Sequence, residues 1–350
     1  MLPADEERTL QSQFRYLGLA LAAVLTDASA HHSYAEYDDG RMVEIEGTLV
    51  RAAMQNPHVH FAVEGVDSNG RNITWDLELT SLNWLQRLEV PSEMFRVGSR
   101  VKFAGWPSKR SPERMYALNM LAEDGQEILL FRTAKARWRD TTLGFGAEQS
   151  QSFYREGVAS DSVSLFRVWA SIQADPATSF RLSAPLVLTE AAKKAVAAVD
   201  PLKDPTIEGC TPKGMPRLMS QPPPMELIDR GAVIQMRMEE YETIRTFHMS
   251  DAADPATQPR TPLGYSVGRW DGTTLVVETT RVSATALNAT GVPIGNEARF
   301  VERFTPAADG SRLDYTLDVT DPDSLAAPAR FLRTWVWRPG ERILPYNCKE

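Results

Sequence analysis

Three stretches near the start of the chain alternate apolar and polar residues with a period of two. In VEIEGTLV (43–50), Val43, Ile45 and Leu49 oppose Glu44, Glu46 and Thr48. In HVHFAVE (58–64), Val59, Phe61 and Val63 oppose His58, His60, Ala62 and Glu64. In NITWDLEL (72–79), Ile73, Trp75, Leu77 and Leu79 oppose polar residues. Such alternation predicts strands with one buried face. DSNG (67–70), between the second and third stretches, carries a hairpin turn signal. The period then changes: in SLNWLQRL (81–88), Leu82, Leu85 and Leu88 fall at helical spacing behind a Ser81 cap. RVKFAGW (100–106) and RMYALNML (114–121) supply two more strands. Three strands, a helix and two strands is the order of a five-stranded Greek-key barrel of OB type.

Periodicity fades from residue 123 onward. LFRVWASI (165–172) is one candidate strand, and TEAAKKAVAAV (189–199) predicts a helix capped by Thr189. The proline-rich run that follows predicts chain wrapped over a surface. Strand patterns return after residue 223 in seven stretches, with turns that include DG (271–272) and ADG (308–310). The pattern predicts an antiparallel up-and-down barrel of lipocalin-like architecture. The expected fold class is therefore mainly β: an OB-like barrel over 31–125, a partly helical connector over 126–222, and a second barrel over 223–350.

Composition narrows the partners. The net charge is −8 with no basic block, whereas nucleic-acid binding needs clustered Lys and Arg. Arg15 precedes about ten apolar residues and then Ala28-Ser29-Ala30, an A-x-A arrangement. Residues 1–30 thus predict a secretory signal whose apolar run is too short to span a bilayer. Three acids ahead of that run depart from the usual positive start. Export predicts a periplasmic or secreted chain with no integral membrane segment after the signal is removed. In an oxidising compartment, the two cysteines, Cys210 and Cys348, predict one disulfide.

Four of the five histidines lie within residues 31–60. His58 and His60, two apart on a predicted strand, project from the face opposite Val59, Phe61 and Val63. If cleavage follows Ala30, His31 becomes the first residue, and its α-amine and ring can chelate one ion together, with His32 beside them. A nitrogen-rich set of this kind suits copper first, then other divalent metals. About twelve residues separate His31 from Val43, a reach of up to ~40 Å, so the leader can deliver its histidines to His58 and His60. Two other readings stand beside this one: hydrogen bonds that pin the leader, with NPH (56–58) forming a turn, and a chance cluster on a frayed tail.

In the second half, charged residues interrupt the strands. Glu242, Arg245, His248, Glu278 and Glu302 are the candidates for acid–base chemistry, and Trp270 and Arg245 for ligand binding. On a half-exposed sheet such residues form the solvated face. Inside a barrel they would form a polar set among Met, Phe and Trp, shaped for a small amphiphilic ligand. An enzyme of this kind would be a lyase, isomerase or hydrolase acting on a hydrophobic small molecule. No nucleophile elbow, phosphate loop or metal-hydrolase motif appears.

AHHS, NPHxH, GCTPKGMPR, GYSVGRWDG and VERF, as a set, resemble an uncharacterised family of exported bacterial proteins, a domain of unknown function. The resemblance implies export, a two-part layout and importance for His31, His32, His58 and His60, but no reaction. A role in binding another envelope component is the third functional reading. The sequence does not set the oligomeric state.

Overall fold

A computed structural model describes residues 36–66, 70–145, 157–160, 163–171, 178–204, 206, 209–250 and 252–349. The predicted signal segment, His31, His32 and most of the DSNG turn lie outside the described residues.

The first barrel forms where alternation is strongest. Strands β1 (Val43–Ala53), β2 (His60–Val66) and β3 (Asn72–Glu78) pair in sequence order. Helix α1 (Leu82–Arg87) follows, then β4 (Arg100–Pro107) and β5 (Arg114–Leu121). β4 returns to β1, and β5 closes the ring by pairing parallel to β3. This is the expected five-stranded OB order. The alternation assigns the core correctly: Leu49, Val59, Phe61, Val63, Leu77 and Phe103 are fully buried. Ser81 precedes α1 as expected but makes no capping bond. The sheet continues past residue 125 through β6 (Glu127–Leu129) and β7 (Thr142–Gly144), which extend it beyond β5.

The second barrel has nine strands. Seven match the predicted stretches: β11 (Val233–Met238), β12 (Ile244–His248), β13 (Tyr265–Asp271), β14 (Thr274–Thr280), β15 (Arg299–Pro306), β16 (Arg312–Thr320) and β17 (Ala329–Val336). The ring is completed by β8 (Val168–Ser171), from the connector, and by β10 (Met225–Asp229). A short β9 (Arg181–Leu182) pairs with the outer part of β17, and α2 (Glu190–Ala197) is capped by Thr189 as expected. One pair departs from the up-and-down pattern: β12 and β13 run parallel over two residue pairs, because the chain between them crosses back over residues 249–264. Trp169, Trp335, Phe247, Phe300 and Phe304 fill the interior.

Cys210 and Cys348 form the expected disulfide, closing a separation of 138 residues. Among the described residues, no helix is long and apolar enough to cross a membrane.

Candidate metal-binding site

Pairing register builds the site on the outer face of the first barrel. His60 stands opposite Glu78, and Ala62 opposite Asp76, across β2 and β3. On the other side of β3, Asp76 stands opposite Arg114 and Glu78 opposite Tyr116. Residues directly opposite one another share a face, so His60, Asp76, Glu78 and Arg114 gather there. His58, just before β2, shares that side, while its neighbour Val59 is bonded into β3's extension through Thr80 O and Leu79 N.

Glu78 is the hub. Tyr37 donates its hydroxyl to Glu78 Oε2 at 2.7 Å, and Arg114 Nη2 donates to the same oxygen at 3.2 Å. Glu78 Oε1 lies 3.4 Å from His58 Nδ1, which also lies 3.2 Å from the carbonyl oxygen of Leu79. Two acceptors against Nδ1 favour the proton there, which leaves Nε2 with its lone pair free. This is the usual way a ligating imidazole is oriented. Burial pushes the His60 ring below its ordinary value, against the opposing pull of Glu78 and Asp76. A neutral ring is the form that binds a metal.

The leader docks beside this cluster. Tyr37 is 1 % exposed and packs edge-on against Tyr116, with Phe131 and Trp106 completing a small outer core. Burial, with the Glu78 charge beside it, holds the Tyr37 phenol well above its ordinary value, so it stays a donor. Glu36 accepts from Ser108 Oγ at 2.8 Å, and its backbone oxygen accepts from Lys109 N. The first described residues are thus one carboxylate away from His58. Among the described residues, no group of three or more His, Cys, Asp or Glu could hold a metal ion. Of the four histidines expected as ligands, His58 and His60 stand on this side of the barrel, and His31 and His32 lie outside the described residues.

The second-barrel candidates separate. Arg245 and Glu302 bond directly: Arg245 Nη1 donates to Glu302 Oε1 at 2.8 Å, and Nη2 donates to Oε2 and to Thr279 Oγ1. Tyr315 donates to the same carboxylate at 2.8 Å. Glu278 faces outward and pairs with Arg299, Glu242 is exposed, and His248 stacks on Tyr265 on the outer side. Trp270 sits 47 % exposed beside Phe166. It borders a recess of about 280 Å³, whereas Arg245 and His248 together border a different one of about 190 Å³. None of Glu242, Glu278 and Glu302 lines that second recess, and apolar and aromatic side chains occupy the barrel interior.

The sequence did not single out Glu78, Asp76 or Arg114. The available signal was that Asp76 and Glu78 occupy the polar positions of β3, but only the register reveals that they face the histidines.

Residues 20–115 match DUF6152, a family of unknown function. The DUF6152 match takes in all four clustered histidines together with Tyr37, Asp76, Glu78 and Arg114. It ends at the start of β5, so the second barrel lies outside it. No curated protein matches the chain.

Proposed function

We propose that the chain is an exported metal-binding protein whose first barrel holds copper through His58 and His60, together with His31 and His32 from the leader. The observation that carries this reading is the contact chain Tyr37–Glu78–His58, which anchors the leader next to the histidine strand. From Glu36, the five residues back to His31 reach up to ~17 Å, enough to bring both leader histidines over His58 and His60. Signal removal after Ala30 would add the α-amine of His31 as a further nitrogen. A set made of imidazoles and an amine favours copper over the other divalent ions.

The test is mass spectrometry of the exported protein followed by titration with Cu(II). The expected result is an amino terminus at His31, one copper per chain and nitrogen hyperfine splitting in the EPR spectrum. His31→Ala and His58→Ala should each weaken binding at least tenfold. Absence of uptake at micromolar copper, or variants that bind like the wild type, would overturn the proposal.

A further inference from the structure

The tail after β17 runs along a seam between the two barrels and touches both. Arg87, at the end of α1, donates to Glu341 Oε1 at 3.2 Å and to the carbonyl oxygen of Arg342 at 3.0 Å. Leu344 N donates to Glu239 Oε2 at 2.8 Å. Glu239 belongs to the second barrel's turn after β11, is fully buried, and accepts from both Arg87 and Asn83 of α1. Farther along the tail, the Tyr346 carbonyl oxygen accepts from Asn56 Nδ2 at 2.5 Å, and Lys349 N donates to the Asn56 carbonyl oxygen at 3.1 Å. Asn56 is 1 % exposed and also donates to Asn83 Oδ1 at 2.8 Å.

Asn56 stands two residues before His58, so the segment that carries this histidine is bonded on one side to Leu79 and on the other to the tail. Between the two tail residues that grip Asn56 lies Cys348, whose disulfide ties it to Cys210 on the connector. A covalent link that can be opened thus lies inside the grip, beside its hydrogen bonds.

We propose that the tail is the positioning element for the His58 site, with Asn56 as its contact residue, and that the thiol–disulfide state of Cys210–Cys348 sets how firmly His58 is held. This rests on the copper reading for its consequence, but not for the mechanical coupling. A dithiol reductant would supply two electrons and two protons: the sulfur–sulfur bond breaks, two thiols form, and the dithiol becomes its own disulfide. Residues 346–349 would then lose their tether, and Asn56 would lose its bonds to Tyr346 and Lys349.

The experiment compares the full exported chain in oxidised and dithiol-reduced forms, both free of metal, by hydrogen exchange. Backbone amides of residues 58–61 should exchange at least tenfold faster after reduction, with β14–β16 unchanged. Copper titration of the Cys210→Ser/Cys348→Ser double variant should show affinity lowered about tenfold and altered EPR splitting. Asn56→Ala should reproduce both effects with the disulfide intact. Unchanged exchange at residues 58–61 on reduction would overturn the coupling. Faster exchange with wild-type copper affinity and spectrum would overturn the positioning role. If the oxidised wild type takes up no copper, the metal reading fails alone, and the exchange comparison still decides the tail's hold.

Discussion

Arg245 enters the interior of the second barrel as a full positive charge and meets Glu302 in two-pronged geometry, with Thr279, Ser266 and Tyr315 closing the set. Both partners are essentially without solvent exposure. Removing one member of such a pair leaves an unpaired charge in the interior, at a cost of about 3–5 kcal/mol. Replacing both with apolar residues of similar size is often neutral. Glu302→Leu alone is therefore expected to lose about that much stability in urea denaturation, and Arg245→Met/Glu302→Leu to recover most of it. By contrast, Glu278→Gln breaks an exposed pair with Arg299 and should cost under about 1 kcal/mol. A double variant as unstable as the single one would refute the pair's isolation. The inward direction of these charges was legible in strand parity. Glu302 lies between Phe300 and Phe304 in period-two register, Arg245 lies two before Phe247, and Arg333 lies between Phe331 and Trp335. A charge at an apolar position marks the interior, whereas Glu278 and His248 fall at the alternate parity.

At the scale of elements, β1 must pair with β2 on one side and β4 on the other while bending round a narrow barrel. Gly47 and Gly65 stand opposite each other in the β1–β2 pair. A Cβ at Gly47 would lie 2.1 Å from the carbonyl oxygen of Glu64, a backbone atom that cannot swing aside. Gly47→Val is expected to lower the stability of the first barrel by about 1–3 kcal/mol, as overpacking commonly does. Its melting should be resolved by Trp75 and Trp84 fluorescence, with the exchange of β14–β16 unaffected. Wild-type melting would show that the strands part without cost. The long alternating strands of both barrels were readable because burial of one face imposes the period. Strand β6 has three residues, all buried, and shows no period to read, while β10 alternates over only five residues next to a run of prolines. The pairings of β8 with β10 and β17, and of β3 with β5, join stretches far apart in the sequence. The histidine site was half legible for the same reason: H-x-H parity fixed the face, but the carboxylate hub depends on the register between β2 and β3.

Across the whole molecule, buried phenols tie stability to alkaline pH. Tyr37 lies on the first barrel, Tyr315 in the second, and Tyr241 packs at a tilt against Tyr346 of the tail at the seam. Burial holds all four above their ordinary value near 10. In the unfolded chain they ionise near pH 10, and in the folded chain they stay protonated, so above that pH the unfolded state binds fewer protons and stability falls. Arg333 works the other way: burial pushes it down to about 9, and between there and its ordinary value it favours folding as pH rises. Four phenols against one guanidinium leave a net difference of three protons, a slope of up to about 4 kcal/mol per pH unit at 1.36 kcal/mol per proton. A slope of that size ends in cooperative unfolding within about one to four units above pH 10, given stabilities of 5–15 kcal/mol. Because the four groups span both barrels and the tail that joins them, ionisation of one part removes support from the others. Absorbance at the phenolate band should therefore rise in two steps: first from the more exposed tyrosines near pH 10, then from the buried set together with loss of near-ultraviolet circular dichroism. In the oxidised chain the second step should be single, while after disulfide reduction it should divide into two transitions. A buried set that ionises near pH 10 with the circular dichroism intact would mean that water reaches these rings in the folded protein. A single second step after reduction would mean that the seam holds the barrels together without its covalent clip.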